Sequence, residues 1–123
     1  MSFNIDFTLD GVLEVGSWRT ADELKNMSAD DKRNSLIVAM THNSNESVGY
    51  YQGLNNNDLI GEAAITVFLL KAGIRDTHAL QSMSHDDQRN TLIVEDQGHS
   101  PSTPNLQGLN NQQLVTAGLA WAR

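Results

Sequence analysis

The feature that most constrains the fold of this chain is an internal repetition. At an offset of 56 residues, Met27-Ser28-Ala29-Asp30-Asp31-Lys32-Arg33-Asn34-Ser35-Leu36-Ile37-Val38 lies over Met83-Ser84-His85-Asp86-Asp87-Gln88-Arg89-Asn90-Thr91-Leu92-Ile93-Val94, and nine of the twelve positions are identical. After a one-residue deletion, Gln52-Gly53-Leu54-Asn55-Asn56 lies over Gln107-Gly108-Leu109-Asn110-Asn111 with all five identical. Agreement in register across two separate blocks marks a tandem duplication. The 123 residues divide into an N-terminal segment (1–18), a first helical copy (19–74) and a second (75–123). Either copy alone is too small to bury much surface, so residues 1–123 are expected to share one core as a single domain.

Each copy carries helix punctuation. Thr20-Ala21-Asp22-Glu23 is a capping box, in which the hydroxyl accepts an early helix N–H and the glutamate reaches back. Ser28-Ala29-Asp30-Asp31 opens a second helix, with carboxylates in the first turn where the helix dipole favours them. Asn55 with Asp58 opens a third, and Asn110 with Gln113 repeats that signal. Leu59, Ile60, Ala63, Ala64, Ile65, Val67, Phe68, Leu69 and Leu70 spread around most of that third helix, which is therefore expected to be central and buried until Gly73 ends it. Its counterpart carries Leu114, Val115, Leu119, Ala120 and Trp121. Ser35 to Met40 is a β-branched apolar run that a strand would also suit, but the upstream cap and first-turn acids favour helix.

The expected architecture is all-α: a three-helix unit of one short and two longer helices, duplicated, its copies packed about a pseudo-twofold axis. Phe3, Ile5, Phe7 and Leu9 alternate with polar residues ahead of Asp10-Gly11, a favoured hairpin turn, so residues 1–18 are expected to form a short β-hairpin or extended segment. An exposed edge there would be a natural place for strand exchange in a homodimer.

The formal charge of −7 is spread over all three segments with no basic cluster. Nucleic acid and anionic membrane surfaces are thereby disfavoured as partners, because both need clustered Lys and Arg. No cysteine is present, which excludes disulfides and thiolate metal sites. The longest apolar stretch, Ala63 to Leu70, is far short of the roughly 20 residues of a spanning helix. Residues 1–13 contain Asp6 and Asp10 and have no unbroken apolar core, so a cytoplasmic location is the default expectation, with secretion after removal of a signal as the alternative. The sequons at Asn26 and Asn45 matter only in that second case.

No catalytic motif stands out. Asp30, Asp31, Arg33 and Asn34 recur as Asp86, Asp87, Arg89 and Asn90. Helix architecture accounts for most of that recurrence; the competing view is a pair of equivalent ligand sites in which the Arg fork and Asn amide recognise a polar group. Asn34 and Asn90 fit architecture least, since asparagine is a poor helix-interior residue without a specific partner. His42, His78, His85 and His99 do not align across the copies and show no metal-ligand spacing. His85, beside Asp86 and Asp87, could bind a cation or shuttle protons, although an exposed first-turn position explains it more simply and Ala29 stands there in the first copy. Asn55-Asn56-Asn57-Asp58 lacks the spaced acids of a calcium loop, and capping explains it. No phosphate-binding glycine loop or nucleophile elbow occurs, and no cofactor or metal is expected.

The copies differ most where Asn43 to Tyr51 corresponds to Gly98 to Leu106. Tyr50 and Tyr51 could stack on a sugar or peptide there, or one of them could seal the core edge; Pro101 and Pro104 stiffen the other loop. Trp18 and Trp121 read as core. Nineteen Asn and Gln residues suit neutral polar ligands and suit caps and turns equally. The expectation is a non-catalytic binding or interaction module for a protein or a neutral polar ligand such as a glycan. Arg33, Asn34, Tyr50, Tyr51, Arg89 and Asn90 are the candidate contacts. The alternatives are a small hydrolase or isomerase using His42 or His85 with Asp86 or Asp87, and a structural self-associating subunit.

Overall fold

The structure, a computed structural model, describes residues 3–102 and 105–122; Pro104 and the terminal Arg123 lie outside them. The chain is mostly helical: α1 Leu9–Val15, α2 Ala21–Lys25, α3 Ala29–His42, α4 Val48–Gln52, α5 Asn56–Lys71, α6 Thr77–Leu80, α7 His85–His99 and α8 Asn111–Trp121, with a 3₁₀ turn at Leu106–Gly108. No strand occurs among the described residues, and no described helix is long and apolar enough to cross a membrane. Caps fix the helix starts. Thr20 and Glu23 close one capping box, Ser84 and Asp87 a second, and Asn110 and Gln113 a third. Ser28 and Asn55 each accept a backbone N–H three residues on. Ser35 to Met40 lies within α3, which buries Leu36, Ile37, Ala39 and Met40 and leaves Val38 68% exposed.

The expected N-terminal hairpin does not form: no strand occurs in residues 3–18. Asp10-Gly11 sits in the first turn of α1, because Thr8 Oγ1 accepts the Gly11 N–H at 2.9 Å and Val12 and Leu13 are fully buried on the helix's inner face. The cap and the burial together override the turn preference of the dipeptide. Phe3 to Phe7 forms neither helix nor strand, and Phe3 tilts against Phe68 at 5.6 Å between centroids. The divergent segment Asn43 to Tyr51 of the first copy, expected as a loop, is partly helical: Ser47 caps α4 inside it, and Tyr51 is fully buried.

Helix α5 is the centre of the molecule. Leu59 and the residues from Gly61 to Leu69 are buried, Ile60 is partly buried, and α5 packs on α1, α7 and α8, with a lesser contact to α3. Gly73, at φ 73°, ends it in the left-handed region. Two close approaches set the distance to α8. A Cβ at Gly118 would stand 2.6 Å from Phe68 Cζ, and one at Gly61 would stand 3.3 Å from Asn111 Cβ.

These contacts are not those of a pseudo-twofold axis. Such an axis would make α3 meet α8 as α5 meets α7, and α3 makes no comparable contact with α8. Instead, α1 stands to α3 as α5 stands to α7. Lys32 Nζ of α3 pairs with Asp10 Oδ1 of α1 at 2.9 Å; 56 residues on, Gln88 Oε1 of α7 accepts from Thr66 Oγ1 of α5 at 2.6 Å. The stop after α1 matches the stop after α5 as well: Trp18 and Arg19 donate to Leu13 O as Ile74 and Arg75 donate to Leu69 O. A buried polar seam extends the second junction. Gln88 Nε2 donates to Asn43 O at 3.0 Å, Thr77 Oγ1 donates to Asn43 Oδ1 at 2.9 Å, and Asn45 N donates to Met83 O at 2.9 Å.

Candidate functional site

The recurring arginines do the same structural work. Arg33 Nη1 donates to Asn56 Oδ1 at 2.7 Å, and its Nη2 donates to the carbonyls of Leu54 at 2.6 Å and Gln52 at 3.2 Å. Arg89 Nη1 donates to Asn111 Oδ1 at 2.7 Å, and its Nη2 to the carbonyls of Leu109 and Gln107. Each guanidinium thus binds the turn that leads into α5 or α8, which satisfies carbonyls that no helix ladder reaches. Asn34 and Asn90 are exposed, with no side-chain hydrogen bond to another described residue, and do not converge with the arginines on one pocket. Asn34 lies in a shallow groove with Arg19, Met27, Ser35 and Val38.

The two tyrosines have separate roles. Tyr51 is buried in the core, its hydroxyl 2.6 Å from Ser44 Oγ, and burial pushes its pKa up to about 12. Tyr50 is partly exposed, packs edge-on against Tyr51 at 5.1 Å, and donates its hydroxyl to Glu62 Oε2 at 2.9 Å. Burial is the main cause that raises the Tyr50 pKa, and the Glu62 carboxylate adds to it.

Glu62 leads to the cluster that the sequence did not mark. Its side chain is 8% exposed, and its Oε1 lies 3.5 Å from Nδ1 of His85, whose side chain is 9% exposed. Neither atom has a hydrogen-bond partner. On the other side of the ring, His85 Nε2 lies 3.1 Å from Asn111 Nδ2. Because Arg89 occupies Asn111 Oδ1, the Asn111 amide can only donate to His85. Nε2 is therefore an unprotonated acceptor, and the proton of neutral His85 sits on Nδ1, facing Glu62. A protonated ring would set an N–H against the Asn111 NH₂, which agrees with the downward shift of the His85 pKa that burial chiefly causes. Glu62 shifts the other way, to about 7, mainly through burial, with the nearby Glu46, Asp58 and Asp86 carboxylates adding to the rise and the Tyr50 hydroxyl opposing it.

The result is a row of polar side chains from Tyr50 on α4 through Glu62 on α5, His85 on α7 and Asn111 on α8 to Arg89, hydrogen-bonded throughout except between Glu62 and His85. It borders a cleft of about 440 Å³ lined by Leu54, Asn57, Asp58, Glu62, Arg89 and Asn111 among others. Gly61 also lines it, where α5 approaches α8 closely. Of the candidate residues from sequence, Tyr50 and Arg89 belong to this row; Arg33, Asn34, Tyr51 and Asn90 lie outside it. The sequence sets His85 beside Asp86 and Asp87, but the carboxylate that its ring faces closely belongs to Glu62, 23 residues earlier. His42 is exposed at the end of α3. One signal could have pointed to Glu62: it is the one charged residue in the otherwise uncharged run from Leu59 to Leu70.

A second buried carboxylate closes the far end of α7. Asp96 Oδ1 accepts from Trp121 Nε1 at 2.7 Å, its Oδ2 is unpartnered, and burial raises its pKa to about 6. His99 stacks on Trp121 at 3.8 Å. Among the described residues, no group of three or more His, Asp or Glu side chains is arranged to hold a metal ion. No family model, curated protein or solved structure matches the chain.

Proposed function

We propose that the protein is a non-catalytic binding module in which two head-to-tail helical copies form one ligand seat between them, the cleft bordered by α5, α7 and α8. One observation carries this proposal: Glu62 lines that cleft with a side chain only 8% exposed and one oxygen unpartnered. A buried carboxylate without a full set of donors is costly, and folds tend to retain one where it has a task. The seat occurs once, because Glu62 and His85 correspond to Asp6 and Ala29 one copy earlier. The repeated Arg and Asn pair is architecture that the second copy also uses to orient His85. The ligand is a small polar molecule rather than a large apolar one, since the lining is dominated by Asn, Asp, Gln, Glu and Arg side chains.

Asn57 lies exposed on the rim of the cleft, so Asn57→Trp obstructs it without entering the core. In a thermal-shift screen against amines, sugars and short peptides, hits that raise the melting temperature of the native protein are expected to vanish in N57W. Hits that persist in N57W and in Tyr50→Ala would place the ligand elsewhere.

A small acid–base enzyme is the competing proposal, favoured by a Glu62 pKa of about 7 beside a histidine. Against it, His85 Nε2 is taken by Asn111, and Nδ1, though without a hydrogen-bond partner, is buried against Glu62 in a side chain only 9% exposed, where a substrate in the cleft does not meet it.

A further inference from the structure

The geometry points to a ligand that carries a protonated amino group, seated between the Asp58 and Glu62 carboxylates; this deepens the binding-module proposal and rests on it. Asp58 and Glu62 are one helical turn apart on α5, about 5–6 Å between their Cβ atoms, and both line the cleft. Glu62 Oε1 has no hydrogen-bond partner and Oε2 has only the Tyr50 hydroxyl.

The charge of the cleft points the same way. Arg89 is the one cation among its described lining residues, and its guanidinium is committed to Asn111 Oδ1 and to the carbonyls of Gln107 and Leu109. An anionic ligand would meet two carboxylates with no free positive group to offset them. A neutral ligand could use the amides of Asn57, Asn110 and Gln112 but would leave Glu62 as it is. An ammonium group brings three donors and a positive charge, which complement a buried carboxylate short of both. The amides that ring the opening, bridged on one side by Gln112 Nε2 to Asn57 Oδ1 at 3.4 Å, would hold the polar remainder of the ligand.

A matched pair of probes tests the inference: 1,4-diaminobutane and 1,4-butanediol, titrated into the full chain at neutral pH and followed by amide NMR. The diamine is expected to move the Gly61, Glu62 and Asn111 signals saturably while the diol does not. Glu62→Gln, which keeps the shape of the side chain, is expected to weaken diamine binding at least tenfold, and Asp58→Asn to weaken it by a smaller factor. Both variants are first checked for a native melting transition; should E62Q fail that check, the D58N titration and the comparison of amine with diol still decide. Equal shifts from diol and diamine, or an undiminished affinity in both variants, would overturn the amino-group inference and leave a binding module for neutral ligands. Absence of any saturable shift from the probes and from a panel of sugars and peptides would overturn both.

Discussion

Where α1 meets α3, Asp10 and Lys32 form an ion pair with side chains 51% and 21% exposed; where α5 meets α7, the residues 56 positions later are Thr66 and Gln88, exposed by 0% and 1%. The two junctions share a geometry and differ in access to water. Solvated charges cost little at the outer junction, whereas the same pair at the inner one would lose its hydration for an attraction that seldom repays it. A neutral hydrogen bond meets the same geometric need without that cost. Against this pattern the inner junction still keeps a carboxylate at Glu62 facing His85, in positions where the outer junction has an exposed Asp6 and an alanine. Glu62 is therefore hard to explain as packing.

The largest expected difference between the junctions concerns their apolar cores. Phe68 packs against Phe3, Trp121 and the bare backbone of Gly118, while its counterpart Val12 is a smaller side chain with less to lose. Phe68→Ala is expected to cost about 4 kcal/mol and Val12→Ala roughly half as much, read by urea denaturation. Equal losses would mean that the outer junction contributes as much as the inner one and that α5 is not the organising helix.

Exchanging the polar pairs sharpens the same contrast. Thr66→Asp with Gln88→Lys places the outer ion pair in the inner junction and is expected to destabilise by about 3 kcal/mol, since two charges lose their water. The reciprocal Asp10→Thr with Lys32→Gln is expected to stay within about 1 kcal/mol of the native protein. If both exchanges are neutral, burial does not govern the choice of residue at these positions.

How much of this could be read from the chain follows a division between local and distant interactions. Caps at Thr20, Ser28, Asn55, Ser84 and Asn110 were legible, because each bond joins residues three apart. The repetition was legible because it compares the chain with itself. Asp10-Gly11 misled as a hairpin turn: the dipeptide preference is local, but burial of Val12 and Leu13 against α3 and α5 decides the outcome. The partner of His85 was out of reach, since nothing near it in sequence shows that α7 lies on α5. A twofold arrangement looked natural for two like units, yet α1 already occupies against α3 the place that α5 takes against α7.

Glu62 also makes the inner junction sensitive to pH. Its carboxyl titrates at 4.5 in an open chain and at about 7 when folded, so the folded state binds more protons between those values. Stability therefore falls as pH rises through that window and levels off above it, by at most about 3 kcal/mol. His85 acts in the opposite sense, because its lowered pKa lets the unfolded chain bind more protons below 6.5. Asp96, raised from 3.8 to about 6, adds to the fall at lower pH. Glu62→Gln isolates the first contribution: the variant is expected to gain stability relative to the native protein as pH goes from 4.5 to 7.5, in urea titrations at four pH values. A difference that stays constant across the series would mean that the carboxylate is solvated, and the argument for a ligand seat would lose its footing.

The smallest expected effect separates the stops after α1 and α5. Ser17 and Gly73 occupy equivalent positions with φ of 61° and 73°. A side chain in this left-handed region costs about 1 kcal/mol that glycine avoids. Gly73→Ser meets no atom within 4 Å of its new Cβ, so any loss reports on the backbone alone. Ser17→Gly should recover up to about the same amount, less the contribution of the exposed bond from Lys71 Nζ to Ser17 Oγ at 2.9 Å. The double exchange is then expected to be nearly neutral in urea titration. If Ser17→Gly instead destabilises, the tie from Lys71 at the end of α5 to Ser17 after α1 outweighs the backbone term, and the outer junction is held at its rim more firmly than its short helix suggests.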